Sequence, residues 1–184
     1  MSYSYESKKD DPYDGYVIRS LTKPWRDMED YLIMETKDMV INCVVDVGTG
    51  MKGAIAQHYY EDIQKITRGY VVDVWKIKEM PLIWKPLKID ALTLRDHFEP
   101  NSVDVVQAFG FMEHLLKDDG YRFIEIAETI AKKFVIYSAA TCIHNILGKC
   151  GDDPDYKVKL DGNPYHRYNS VWQWDEFEAL GYTS

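Results

Sequence analysis

Apolar residues recur along this chain in two rhythms. Short, largely β-branched runs at INCVVDV (41–47), GYVVDV (69–74), PLKIDA (86–91), SVDVVQAF (102–109) and KFVIYSA (133–139) predict five strands, of which PLKIDA is the shortest. Runs with so little alternation suit strands buried on both faces. Helical spacing falls between them: Trp25, Met28, Tyr31, Leu32 and Met39 in residues 25–39, then AIAQHYYEDIQKI (54–66) and RFIEIAETIAKK (122–133). Strands alternating with helices imply crossover connections, so the expected class is α/β with a parallel sheet covered on both faces.

From Ala139 to Ser170 the rhythm gives way to a loop region rich in Gly, Pro and Asp. DYKVKL (155–160) alternates within it and predicts one further short strand. WQWDEFEALG (172–181) predicts a closing helix that ends at Gly181, a residue favoured just past a helix end. Residues 1–15 read as a flexible tail and 16–184 as a single domain.

Composition narrows the function. Lys plus Arg total 22 and Asp plus Glu 30, a net charge of −8. That balance opposes a surface that tracks phosphates, so no nucleic-acid partner is expected. No run approaches the roughly 18 apolar residues of a membrane span, and the N-terminus has no apolar signal core. Three cysteines, Cys43, Cys142 and Cys150, are odd in number and unpatterned. They suit a reducing compartment, and a cytoplasmic protein with no membrane partner is expected.

The chemistry concentrates in VVDVGTGMKG (44–53). A glycine-rich turn between a strand and a helix lets the backbone approach a ligand and sets a helix N-terminus beside it. Gly48, Gly50 and Gly53 satisfy G-x-G-x-x-G, and Asp73 lies 20 residues after Gly53, where a carboxylate would grip ribose hydroxyls. On those features an NAD(P)-dependent oxidoreductase and an enzyme that uses S-adenosyl-L-methionine fit equally. Asp46, two residues before Gly48, can receive an ammonium and would repel a pyrophosphate; the bland alternative is a carboxylate capping backbone amides. Asp90 in KIDA can accept from an adenine amino group, or simply begin a loop.

With SVDVVQAFGFMEHL following, these residues in this order resemble the class I S-adenosylmethionine-dependent methyltransferases. VVDVGTG is similar to that family's first cofactor motif, and Asp73 to its ribose-binding acid. Asp90-Ala91 is similar to its adenine pair, and Asp104 through Glu113-His114-Leu115 to the strand ending of its small-molecule branch. The likeness covers roughly residues 40–140, with weaker support to Trp172. It implies a three-layer Rossmann-like sheet, S-adenosyl-L-methionine as cofactor and a small-molecule acceptor. It also implies Asp46 at the cofactor's ammonium and Gly48, Thr49 and Gly50 along its methionine part. Asp73 and Val74 would then meet the ribose, Asp90 and Ala91 the adenine, and the Phe109 backbone would close the methionine side.

Two departures stand out. Lys52 occupies the usual third-glycine position, with Gly53 following. The family's sheet has seven strands, and this chain stops at GYTS where the sixth should begin. The C-terminal strand pair is therefore expected to be missing or incomplete, leaving about five main strands.

Methyl transfer from a sulfonium is an in-line displacement, so a base is needed only when the acceptor is protonated. Glu113 and His114, at the end of the fourth strand, are the catalytic candidates; a surface histidine at a helix start is the alternative for His114. NPYHRYNSVW (163–172) offers His166 and Tyr168 as acceptor contacts in a lid, or Trp172 as an anchor of the last helix. Cys142, His144 and Cys150 lack the paired short spacings of a zinc site, so no metal is expected. The only Tyr-x-x-x-Lys spacing is Tyr5…Lys9, in the tail, which argues against a short-chain reductase. The absence of Asn/Asp-Pro-Pro-Tyr/Phe argues against several nucleic-acid methyltransferases. A non-catalytic, methyltransferase-like binding module is the remaining alternative.

Overall fold

The computed structural model describes residues 25–50, 54, 56–143 and 151–182. The tail read over 1–15, together with Lys52, Gly53, His144 and Cys150, lies outside the described residues. Five strands, β1 (Cys43–Val47), β2 (Arg68–Val72), β3 (Trp84–Leu87), β4 (Val103–Phe109) and β5 (Ala131–Ser138), form one parallel sheet in the order β3-β2-β1-β4-β5. The chain fills the sheet outward from β1 to one edge, then crosses to β4 and fills the other side. The order reverses between β1 and β4, and a parallel sheet opens a crevice at the carboxyl ends of strands flanking such a reversal.

Side chains alternate across this sheet, which is why both faces need cover. Val45, Val47, Val106 and Ala108 face α2 (Lys117–Ile130), whose Phe123, Ile124, Ala127 and Ile130 repeat at helical spacing. Val44, Val71, Val105 and Ile136 face Leu32 of α1 (Trp25–Thr36) and the buried Tyr59 and Tyr60. Each fully buried Val, Ile, Leu or Phe among them contributes about 2 kcal/mol relative to exposure. The result is the three-layer α/β sandwich expected, with five main strands. Among the described residues no helix is long and apolar enough to cross a membrane.

Several boundaries differ from the sequence reading, each for a local reason. The segment after the glycine turn winds as a π-helix over Tyr59–Gln64 and stops at Lys65, which takes a left-handed φ of 55°. The third strand runs over Trp84–Leu87 rather than 86–91. Asp90 instead caps a 3-10 turn over Ala91–Asp96, its Oδ1 accepting the Leu92 N–H at 2.9 Å. Aspartate favours that capping role over a strand interior. DYKVKL is not a strand but a short helix, α3 (Tyr156–Asp161). Its alternation has no sheet partner to serve: Leu160 is exposed, and the Gly162 N–H closes onto Val158 O at 2.8 Å with Gly162 at φ 72°. The closing helix, α4 (Trp174–Ala179), carries a capping box between Gln173 and Glu176.

Candidate active site

The crevice is a cavity of about 230 Å³ at the carboxyl ends of β1, β2 and β4. One wall is main chain. Gly48 extends the β1 ladder by donating to Val72 O at 2.8 Å, then turns away at φ +76°. A Cβ at this position would come within 2.6 Å of the Phe111 ring, so the turn demands glycine twice over. Two residues on, the Gly50 N–H donates to Asp73 Oδ2 at 2.9 Å, and the Trp75 N–H to Asp73 Oδ1 at 2.7 Å. The carboxylate that ends β2 is thereby locked across the glycine turn. Each oxygen keeps a second lone pair for a ligand hydroxyl. Val74, Ile89, Asp90 and Ala91 continue this wall.

The opposite wall is a strap, residues 163–169, tied down by side chains and turn carbonyls. The N–H groups of Asn169 and Ser170 donate to Glu113 O at 2.8 and 3.1 Å, and Asn169 Nδ2 donates to His114 O at 2.8 Å. Just beyond, Trp172 is fully buried and its Nε1 donates to Ser170 Oγ at 2.9 Å. Its ring leaves α2 no room at Gly120, where a Cβ would stand 2.2 Å from Trp172. Trp172 is thus the structural anchor of the strap and of α4, beside Phe177 at a ring spacing of 5.4 Å.

The sequence candidates divide between the cavity wall and the layers behind it. Gly48, Asp73, Val74, Asp90, Ala91, His114 and His166 line the cavity. Asp46 does not: it is buried on the α1 side of the sheet, where Gln107 Nε2 donates to its Oδ2 at 2.7 Å and Tyr60 OH donates to Gln107 Oε1 at 2.9 Å. Burial, then the Asp46 charge, push the Tyr60 phenol well up, so that hydroxyl stays a donor. The contrast drawn from Asp46 between an ammonium and a pyrophosphate therefore rests on its field, not on contact. Phe109 is buried in the second core and Gly110 takes the wall position after it. Thr49 is buried beside the turn, its hydroxyl without a hydrogen-bond partner among the described residues. Gly50 meets the site through its N–H bond to Asp73 rather than as wall.

Glu113 is fully buried behind the wall, with Lys157 Nζ 4.0 Å from its Oε1. Tyr168 is also buried, stacked on Tyr156 at 5.6 Å and 16°. Cys142 is disulfide-bonded, which removes it as a metal ligand and runs against the reducing compartment that the unpatterned cysteines suggested. The wall residues missed at the sequence level are Phe111, Leu115, Asn163 and Tyr165 above all. Leu115 lay within the Glu113-His114-Leu115 motif without being named for the site, and Asn163 carried a signal as Asx-Pro turn chemistry: its Oδ1 accepts the Tyr165 N–H at 3.0 Å.

No protein-family model matches the chain, and no curated protein matches it significantly. Solved structures do. A SAM-dependent methyltransferase from Archaeoglobus fulgidus superposes with a TM-score of 0.55 at 11% identity over 85% of this chain and 66% of that one. The methyltransferase domain of bacterial CtHen1-CN gives 0.53 at 14% identity over 85% and 82% of the two chains. The small RNA methyltransferase HEN1 gives 0.52 at 13% identity, with 85% of this chain covering 20% of that one. The chain therefore spans just under two thirds of the archaeal protein's length. The protein has the class I S-adenosylmethionine-dependent methyltransferase fold, with its central five strands in one parallel sheet.

Proposed function

We propose that the cavity binds S-adenosyl-L-methionine and that the protein transfers its methyl group to a small acceptor. The observation that carries this reading is the Asp73 carboxylate, held by the Gly50 and Trp75 amides at the mouth of a wall built by Val74, Ile89 and Ala91. The residues fit the cofactor's chemistry. Gly50, at a left-handed φ of +53°, presents its N–H to Asp73 Oδ2 and so fixes the carboxylate that would meet a ribose. Asp73 has acceptor capacity to spare for ribose hydroxyls. Val74, Ile89 and Ala91 form an apolar slot for a purine, with Asp90 at its edge. The bare Gly48 turn leaves room for the methionine part. Asp46, behind the wall, adds its field at that end, which favours an ammonium over a phosphate.

When bound, the cofactor supplies a methyl group already activated on a sulfonium. The chain's contribution is placement and exclusion of water: Asp73 fixes the register, and the strap covers the acceptor side. Calorimetry with S-adenosylmethionine, S-adenosylhomocysteine and both nicotinamide dinucleotides tests this. Micromolar binding of the sulfonium pair, weakened about 10- to 100-fold in Asp73→Ala, is expected for the loss of charge-assisted hydrogen bonds. Binding of a dinucleotide in their place would overturn the reading.

A further inference from the structure

We propose that the acceptor is an uncharged aromatic hydroxyl and that His166, oriented by Asp161, is the base that takes its proton. This rests on the cavity being the S-adenosylmethionine site. At the end of α3, the Asp161 carboxylate faces His166 Nδ1 across a close hydrogen bond. That contact makes Nδ1 the donor and leaves Nε2 as the nitrogen able to accept a proton. His166 lines the cavity, its side chain one third exposed (33%), and Nε2 has no partner among the described residues.

The neighbouring imidazole is placed differently. His114 stacks on His166 with ring centroids 5.3 Å apart at 28°, and its Nδ1 lies 3.0 Å from the Arg167 carbonyl, which can only accept. Two stacked imidazoles do not both take a positive charge cheaply. Asp161 stands behind the His166 ring as in a His–carboxylate pair that stabilises an imidazolium.

The wall's charges select the acceptor. Arg167 is its only Lys or Arg among the described residues, and Arg167 Nη1 is committed to both Asp155 oxygens at 2.7 and 2.8 Å. The remaining formal charges are Asp73 and Asp90. Among the described wall residues an anionic acceptor would meet no free cation. The surfaces on offer are aromatic: the His114–His166 stack, Phe111, and Tyr165, which is 53% exposed and 6.0 Å from Trp75. Flat rings pack on such faces. A base is superfluous for a carboxylate acceptor and necessary for a hydroxyl, so the dyad and the missing cation point the same way.

In the step itself, the hydroxyl proton passes to His166 Nε2. An oxygen electron pair forms the new bond to the methyl carbon, and the methyl–sulfur bond breaks with its pair retained on sulfur. One positive charge enters on the sulfonium and one leaves on the imidazolium, which returns its proton to solvent.

The test presents S-adenosylmethionine with three acceptor sets: simple phenols and catechols, benzoates, and a single-stranded RNA with a free 3′-hydroxyl. Release of S-adenosylhomocysteine is the readout. Methylation of phenols is expected, with kcat about 10²- to 10⁴-fold lower in His166→Gln, about tenfold lower in Asp161→Asn, and cofactor affinity within about twofold throughout. Independently, ¹⁵N NMR of the His166 ring should show the Nδ1–H tautomer, lost in Asp161→Asn. Transfer to benzoates or RNA, silence across the phenols while the cofactor binds, or an unchanged kcat in His166→Gln would overturn the proposal. Failure of the wild-type chain to bind S-adenosylmethionine defeats the cofactor reading instead, and the tautomer spectrum still decides whether the dyad exists.

Discussion

The two walls of the cavity differ in how much long-range side-chain bonding supplements their main-chain bonds. On the glycine-turn side, position follows from the main chain: Gly48 continues a strand ladder, and two backbone amides grip Asp73. On the strap side, the main-chain bonds of Asn169 and Ser170 to Glu113 O are joined by side chains reaching across more than fifty residues, with Asn169, Ser170 and Trp172 all engaging the turn over Met112–His114. The first wall is rigid because its geometry repeats the sheet's. The second is only as firm as its anchor, and on the reading above it meets the acceptor. A scaffold of this design can keep one cofactor while the acceptor side varies.

Removing the anchor should therefore give the largest effect and separate the walls most clearly. Trp172 is fully buried against Gly120, with Lys117 Nζ 3.7 Å from its ring centre. Trp172→Ala should lower unfolding stability by about 3–5 kcal/mol, read from urea midpoints at constant slope. Among molecules still folded, S-adenosylmethionine affinity should change little while acceptor turnover falls. An equal loss of both would show that the walls are not independent.

Gly48→Ala is the complementary break. Its cost has two sources, a left-handed backbone at φ +76° and a Cβ directed 2.6 Å from the Phe111 ring. Strain of this kind costs about 1–3 kcal/mol, and here it falls on the turn that shapes the cofactor wall. Cofactor affinity should drop by roughly tenfold or more, with a smaller loss of stability than in Trp172→Ala. Undiminished affinity would mean that the turn tolerates a shifted Phe111 and that its glycine is not needed for binding.

The same contrast explains what the sequence made legible. VVDVGTG and Asp73 could be read because a parallel sheet imposes fixed distances: residues 23 apart in sequence, Gly50 and Asp73, must meet when β1 pairs with β2 in register. Four of the strands were legible for the same reason, whereas the third, an edge strand with two of its four residues exposed, was read two residues late. Asp46 shows the limit, since its position in β1 was readable but its direction depended on Gln107 and Tyr60 on other elements. The strap was legible only as a cluster of polar and aromatic letters. Tyr168 and His166 stand two residues apart, yet one is buried against Tyr156 and the other opens to the cavity. DYKVKL alternated like a strand, but six residues of alternation carry no information on whether a sheet edge is present to pair with.

The smallest expected effect lies at the other end of the sheet, away from both walls. Asp104 on β4 accepts the N–H groups of Asn42 and Cys43 at 2.7 and 3.1 Å, and Lys133 Nζ lies 2.9 Å from its other oxygen. Burial alone would raise this carboxyl; Lys133 and the two amides outweigh it and hold the group below the usual carboxylate range. A carboxyl depressed in the folded state stabilises the protein above its unfolded value, near 4, and that contribution drains away as pH falls through the lower folded value. Glu176 follows the same sign on the strap side: burial opposes ionisation there, and Lys117, the Gln173 amide and the Tyr121 hydroxyl prevail. Asp104→Asn should cost about 1 kcal/mol at neutral pH and flatten the stability slope below about pH 4, with no change in cofactor affinity. Glu176→Gln should flatten the same slope but also loosen the strap, because Glu176 joins Lys117 to the Gln173 amide beside Trp172. If Asp104→Asn instead weakened the cofactor, the lower end of β4 would be coupled to the crevice, and the main-chain wall would be less rigid than its ladder implies.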